Sequence, residues 1–225
     1  LSCKGCRSDC PVEVDMATYK AEFLHQHYRG RLRPRSHYAM GWIPVWLKIA
    51  ARFARPVNFL GRLRSTAWLL KRIAGVAEER DMPELARETF TRWWHRGDTN
   101  EGRREGVGGS AAGPADGSSG GPAGGATTVV LWPDTFTDHL SPEVGKAAVR
   151  VLRAAGLHVA IPPGAVCCGL TWVSTGQLDR ARTVMRRTLD RLAPVLDAGL
   201  PLVVLEPSCA AALRSDLPEL LGTRD

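Results

Sequence analysis

Six cysteines in two tight groups are the residues of this sequence that could do chemistry. Cys3, Cys6 and Cys10, followed by Pro11, match the end of the run C-x2-C-x2-C-x3-C-P, which holds cubane iron–sulfur clusters. The first cysteine of that run would stand immediately before Leu1. Because the short spacings aim several thiolates at one centre, we expect Cys3, Cys6 and Cys10 to be ligands of cubane 4Fe-4S clusters. The fourth cysteine of such a run reaches a neighbouring cluster, so Cys10 would serve a cluster whose other ligands lie upstream.

The second group consists of Cys167, Cys168 and Cys209. The adjacent pair follows one predicted strand and Cys209 follows the next, and loops beyond the carboxyl ends of parallel strands share a crevice. Adjacent cysteines seldom form a disulfide with each other, so we expect these three to be metal ligands or redox thiols. Three thiolates need a further ligand for a tetrahedral set. Buried cysteines acting as small hydrophobes are the alternative.

Zinc is the alternative metal for the first group. Zinc sites favour paired C-x2-C knuckles with a second pair, or histidines, about a dozen residues further on. His25, His27 and His37 are the available histidines, but two of them fall within a predicted amphipathic helix. The cysteine run is the more specific pattern, so the sequence favours iron–sulfur chemistry.

The chain length and cysteine spacing point to a reducing compartment. The 225 residues suffice for one or two small domains whose cores need no disulfides. A disulfide framework would spread its cysteines along a shorter secreted chain. The sequence has neither an apolar window of about 18 residues nor a signal peptide. We therefore expect a cytoplasmic protein.

Three segments with different patterns predict an α+β fold. Residues 1–96 have helical spacing: Asp15 is placed to cap one helix, and Asp81, Pro83 and Glu84 resemble a capping box that opens another. Residues 97–126 are rich in Gly, Ala, Ser and Pro, so they cannot offset their ordering entropy and should form a flexible linker.

The third segment, residues 127–225, alternates short apolar runs with longer helical ones. We expect strands at 128–132, 157–161 and 202–205, and helices at 143–155 and 178–198. Strand–helix alternation predicts a small α/β domain with a parallel sheet and covering helices.

Several stretches resemble the iron–sulfur half of fused bacterial FAD-linked oxidases, relatives of D-lactate dehydrogenases and glycolate oxidases. The first is LSCKGCRSDCPVEVDMATYKAEFL, which is similar to their second ferredoxin-type motif. The others are similar to the first of their paired cysteine-rich CCG domains: WPDTFTDHLSPEVGKAAVRVLRAAG, CCGLTWVSTGQLDRAR and LEPSCAAALR. The order of these stretches agrees with the family.

The resemblance implies an electron-transfer role for this chain. In such proteins an upstream flavin domain with FAD oxidises a 2-hydroxy acid, and iron–sulfur clusters carry the electrons away. This chain would then hold clusters at its cysteines and no residue that acts on the substrate. The chain departs from the family at Trp132, where many CCG domains have a cysteine, and at Cys209, which has no C-x2-C partner. A heterodisulfide-reductase-like subunit and a non-enzymatic zinc-binding or scaffold module are the alternatives.

The charge distribution suggests a surface for a partner. Between Arg29 and Arg72 there are eleven Lys and Arg residues, no Asp or Glu, and several aromatic residues. Such a segment suits a helix on an anionic membrane, which predicts peripheral attachment to the inner face of the cell membrane and a quinone acceptor. A solvated face or a dock for the flavin domain is the stronger alternative. We expect no nucleic-acid binding, because no recognition motif accompanies the charge.

Overall fold

The computed structural model describes residue 11 and residues 14–101 and 127–222. Cys3, Cys6 and Cys10 lie outside the described residues, as do residues 102–126 of the predicted linker. The described residues form a helical region, 14–101, and a sheet domain, 127–222.

The helical region contains six α-helices. They are α1 (Met16–His27), α2 (Arg35–Gly41), α3 (Ile43–Ala50), α4 (Ala54–Arg62), α5 (Arg64–Ala74) and α6 (Phe90–Glu101), with a 3-10 turn at Ala51–Phe53 between α3 and α4. Asp15 caps α1 as predicted, since its carboxylate accepts hydrogen bonds from the backbone N–H groups of Ala17 and Thr18, both at 3.0 Å. Helix α6 continues through residues 97–101, which the sequence assigned to the linker.

The predicted capping box at Asp81 is wrong, because residues 81–86 are not helical and α6 begins only at Phe90. The side chain of Asn58 ties this segment to α4: its amide donates to the carbonyl of Leu85 at 2.8 Å and its oxygen accepts from the Leu85 N–H at 2.9 Å. The N–H of Ala86 donates to the carbonyl of His139 at 2.8 Å. Tertiary hydrogen bonds therefore override the local signal.

The sheet domain contains three strands and six α-helices. They are β1 (Thr128–Trp132), α7 (Thr135–His139), α8 (Pro142–Ala154), β2 (His158–Ala160), α9 (Leu170–Ser174), α10 (Leu178–Asp197), β3 (Leu202–Val204), α11 (Pro207–Ala211) and α12 (Leu217–Leu221), with a π-helical turn at Ala212–Asp216. The strand order is β2-β1-β3 and both pairings are parallel. The predicted strands and the two predicted helices are confirmed to within about two residues, and so is the parallel sheet.

The central strand is buried because both faces of the sheet are covered. Val130, Leu131 and Trp132 are at most 1% exposed, which is typical of parallel strands between helices. Because β2 and β3 both run parallel to the central strand β1, the carboxyl ends of all three strands lie at one edge of the sheet. The cysteines of the second group lie at this edge.

The helical region and the sheet domain share hydrophobic core. Phe90 is fully buried against Val129, Leu131 and Val149 of the sheet domain. The absence of a side chain at Gly145 makes room for the Phe90 ring, because a Cβ there would lie 2.7 Å from a ring carbon. The helical region and the sheet domain, which the sequence pattern separates, thus pack against each other through shared apolar side chains.

Polar contacts add to this packing. The guanidinium of Arg33 donates to the carbonyls of Thr175 and Gly176 at 2.7 and 2.8 Å. The indole N–H of Trp42 donates to Gln177 at 2.8 Å, and its ring lies edge-on to Trp172. Hydrogen bonds to the residues that follow α9 therefore fix this side of the helical region on the sheet domain.

Helices α3–α5 leave many large apolar side chains exposed. They include Trp46, Phe53, Phe59, Leu63, Trp68 and Ile73, each between 42% and 65% exposed. None of the described helices has the length and apolar character needed to cross a membrane.

Candidate functional site

Cys167, Cys168 and Cys209 come together at the carboxyl edge of the sheet, as the strand order predicts. Cys167 and Cys168 end the loop between β2 and α9, and Cys209 lies in α11, directly after β3. Gly169 is the N-cap of α9 with φ of 78°, a left-handed conformation that glycine adopts readily. This turn brings the cysteine pair close to α11.

Cys168 and Cys209 form a buried thiol pair. Their Sγ atoms are 3.1 Å apart, and both residues are less than 9% exposed. They pack in an apolar cluster with Trp132, Leu192 and Ala212. The full burial of Trp132 shows that its indole occupies space in this cluster, at the position where the family often has a cysteine.

Cys167 is less buried than its neighbour, and Thr188 of α10 holds its backbone. The Cys167 N–H donates to the Thr188 hydroxyl at 3.2 Å, and that hydroxyl donates to the Cys167 carbonyl at 2.9 Å. The Cys167 thiol also interacts with the hydroxyl of Thr135 at the start of α7. Elements α7 and α10 therefore position Cys167 together.

Neighbouring thiols and burial disfavour thiolates at this site. The hydrogen bond with Cys168 and burial raise the pKa of Cys167 far above its usual range. For Cys168, the hydrogen bond with Cys167 lowers the pKa, but the hydrogen bond with Cys209 and burial outweigh it and raise the pKa to about 12. Since metals bind the thiolate form, metal binding here would release protons.

Three thiols match iron–sulfur chemistry in donor type, because soft sulfur ligands bind such clusters. In the described part of the chain, however, no group of three or more His, Cys, Asp or Glu side chains is arranged to hold a metal ion. The Cys168–Cys209 distance of 3.1 Å is shorter than the ~3.8 Å between two sulfurs on a tetrahedral metal with bonds of about 2.3 Å. A bound group would have to separate this pair and take a further ligand from elsewhere, so the ligand role of these cysteines stays a prediction.

The histidines of the zinc alternative lie apart from these cysteines. His25 and His27 are on α1, where His25 lies 3.9 Å from Asp179. Burial, Arg33 and Lys20 lower the pKa of His37. Whether any histidine approaches Cys3, Cys6 and Cys10 lies outside the described residues.

Sequence reasoning missed Asp134, Thr135 and Thr188. Asp134 is 3% exposed and caps α7 by accepting from the N–H groups of Phe136 and Thr137. It thereby aims the first turn of α7, with Thr135, at Cys167. The signal was present: an Asp-Thr pair follows within two residues of the strand end at Trp132, where functional side chains gather in parallel sheets.

Comparison with known families identifies the sheet domain. Residues 134–214 match the profile of the CCG cysteine-rich domain, a range that includes Cys167, Cys168 and Cys209. No solved structure matches the chain significantly.

Three curated relatives illustrate the similarity. One subunit of the anaerobic glycerol-3-phosphate dehydrogenase of Escherichia coli (strain K12) is 24% identical over 175 residues, covering 77% of this chain and 39% of that protein. D-2-hydroxyglutarate dehydrogenase of the same strain is 22% identical over 224 residues, covering 99% of this chain and 20% of that protein. An uncharacterized iron-sulfur protein of Methanococcus maripaludis is 33% identical over 92 residues, covering 40% of this chain and 18% of that protein.

The chain therefore spans between about a fifth and two fifths of the length of these relatives. The matches confirm the predicted CCG domain and the resemblance to iron–sulfur parts of dehydrogenases. Two of these relatives are named as dehydrogenases, which are oxidoreductases, and the third is named as an iron-sulfur protein.

Proposed function

We propose that the chain is the electron-transfer segment of an FAD-dependent 2-hydroxyacid dehydrogenase of the D-lactate or glycolate type. The support is that the chain carries a CCG cysteine-rich domain and is homologous to iron–sulfur parts of dehydrogenases. One observation carries the proposal. A ferredoxin-type cysteine run and a CCG domain stand on one chain, and 99% of that chain aligns with a single dehydrogenase of much greater length.

Cys3, Cys6 and Cys10 are the proposed ligands of 4Fe-4S clusters, with the remaining ligands in the preceding sequence and Cys10 on the neighbouring cluster. Cys167, Cys168 and Cys209 are proposed as ligands in the CCG domain, completed by a residue outside the described chain. Such clusters supply one-electron transfer when bound. The chain's own contribution at the second group is positional: Gly169, Thr135 and Thr188 hold the cysteine pair against α11.

Substrate chemistry is assigned to a flavin domain upstream, on the same polypeptide or in a complex with it. The three cysteines at the sheet edge lie among apolar residues and hydroxyl groups, which suits a relay better than proton abstraction from a hydroxy acid. FAD therefore belongs to the upstream part in this proposal.

The exposed face of α3–α5 is the proposed contact with a partner. Its apolar side chains lie among basic residues, which suits the upstream flavin domain first. The inner face of the cell membrane, with a quinone acceptor, is the second candidate. Flotation of the longer polypeptide with anionic vesicles tests the second candidate: co-flotation supports the membrane, and its absence removes that candidate.

The test is anaerobic purification of this chain and of a polypeptide extended upstream. Iron and acid-labile sulfide in both, with flavin only in the longer one, would support the proposal. Iron and sulfide without flavin in the longer form would favour a heterodisulfide-reductase-like subunit. Zinc, which is colourless because it is d10, or no metal in either form would overturn the iron–sulfur assignment.

A further inference from the structure

A half-open cleft of about 670 Å³ lies next to Cys167. Its walls come from both parts of the molecule. Helices α3 and α6 form one side, and the segments that follow β1 and β2, together with α10, form the other. The cleft thus occupies the carboxyl edge of the sheet, where parallel α/β domains bind ligands.

The cleft is strongly basic. Its lining contains four permanent cations, Lys48, Arg92, Arg187 and Arg191. The one carboxylate among the described lining residues is Asp138. That carboxylate is already engaged, because its Oδ1 accepts from the N–H and the hydroxyl of Thr91 at 2.8 and 2.9 Å. The cleft therefore has an excess of positive charge.

Three of the four cations have no partner within the part of the chain that the structure describes. Lys48, Arg92 and Arg187 make no side-chain hydrogen bond or ion pair there, whereas Arg191 donates to the carbonyl of Ala165. Elsewhere on the surface, Arg62 and Arg182 pair with Glu84 and Asp179. The cleft mouth thus gathers cations whose donors are available to a bound anion.

The floor of the cleft differs from its rim. Cys167, Thr188 and the buried Trp172 line it, together with Thr135. These residues offer an indole face, a thiol and two hydroxyl groups, and none of them carries a charge. A molecule with an anionic end at the rim and a less polar body toward Cys167 would match both parts.

We propose that this cleft binds a small dianion that carries carboxylate or phosphate groups, with the guanidinium groups of Arg92 and Arg187 and the ammonium group of Lys48 as its main contacts. Guanidinium groups recognise carboxylate and phosphate through paired N–H donors. The site goes beyond the proposed function, since it depends on neither a cluster nor a flavin.

Titration calorimetry of the 225-residue chain tests the proposal, with inorganic phosphate and succinate as separate probes at constant ionic strength. Saturable binding of either probe, or of both, is expected and identifies the preferred group. Each of Arg187→Gln and Arg92→Gln should weaken binding about tenfold, because each removes a charge-assisted hydrogen bond. Lys48→Gln should also weaken binding of the anion.

Arg150→Gln is the matched control, since Arg150 is exposed on α8 and does not line the cleft. Its binding should be unchanged, and circular dichroism should show that all variants are folded. No saturable binding of either probe would overturn the proposal. Equal weakening in Arg150→Gln would also overturn it, because net charge alone would then attract the anion. Unchanged binding in the three cleft variants would overturn it as well, because the anion would then bind outside the cleft.

Discussion

The sheet domain buries its large side chains, whereas the helical region exposes most of its own. Trp132, Trp172 and Met185 of the sheet domain are at most 2% exposed. Trp46, Phe53 and Phe59 of the helical region are between 50% and 65% exposed. The sheet domain therefore packs a dense core around β1, to which Phe90 of α6 contributes, while α3–α5 present an apolar surface that the described residues do not cover.

This difference separates two uses of aromatic residues. In the sheet domain they fix the position of the cysteines, since Trp132 packs against Cys168 and Cys209. In the helical region, the buried side chains either touch the sheet domain, as Phe90 and Ala21 do, or form one small cluster around Leu47. The helical region is thus anchored on one side and open for a partner on the other.

The sharpest test of this contrast is a pair of tryptophan truncations. Trp132→Ala should lower the free energy of unfolding by about 3–5 kcal/mol, because it opens a cavity in a filled core. Trp46→Ala, at a side chain that is 50% exposed, should lower it by less than about 1 kcal/mol. Urea denaturation followed by circular dichroism gives both values. Similar losses in the two variants would show that the two tryptophans contribute equally to stability.

Two glycines on helices test the contact between the regions. Gly145→Ala should destabilise the protein by about 1–3 kcal/mol, since the added Cβ would overpack against the Phe90 ring. Gly61→Ala on α4 meets nothing within 4 Å and should stabilise it by about 0.5–1 kcal/mol. Thermal melting of both variants measures this difference, and a stabilising Gly145→Ala would show that Phe90 is free to move away.

A smaller effect should come from His139, which is buried where the two regions meet. Burial lowers its pKa below 6.5, Asp138 opposes that shift and Lys48 adds to it. Because the unfolded chain binds the proton more readily, stability should fall as the pH drops below about 6.5 and stop falling below the folded pKa. His139→Gln should reduce this slope of unfolding free energy against pH. An identical slope in both proteins would contradict the buried, neutral imidazole.

Local patterns predicted the sheet domain well and the helical region less well. The alternation of apolar runs located all three strands, and the strand–helix order predicted parallel pairing and the meeting of Cys168 with Cys209. These features follow from short-range periodicity and from the rule that the loops after parallel strands meet at one edge of the sheet.

What could not be predicted depends on contacts between distant residues. The non-helical segment 81–86 is held by hydrogen bonds to Asn58 and to the carbonyl of His139, neither of which is a local neighbour. The basic cleft likewise joins residues from α3, α6 and α10, whose proximity no periodic pattern encodes. The role of Phe90 as a bridge to the sheet domain has the same origin.

The central claim, electron transfer through clusters on this chain, is tested most directly in the upstream-extended polypeptide. Under anaerobic conditions, a D-2-hydroxy acid or glycolate is added and flavin and cluster reduction are followed by visible absorption and electron paramagnetic resonance. The Cys3→Ser variant should keep its flavin content and flavin reduction but lose one cluster signal. Cluster signals identical to those of the unaltered protein would contradict the claim.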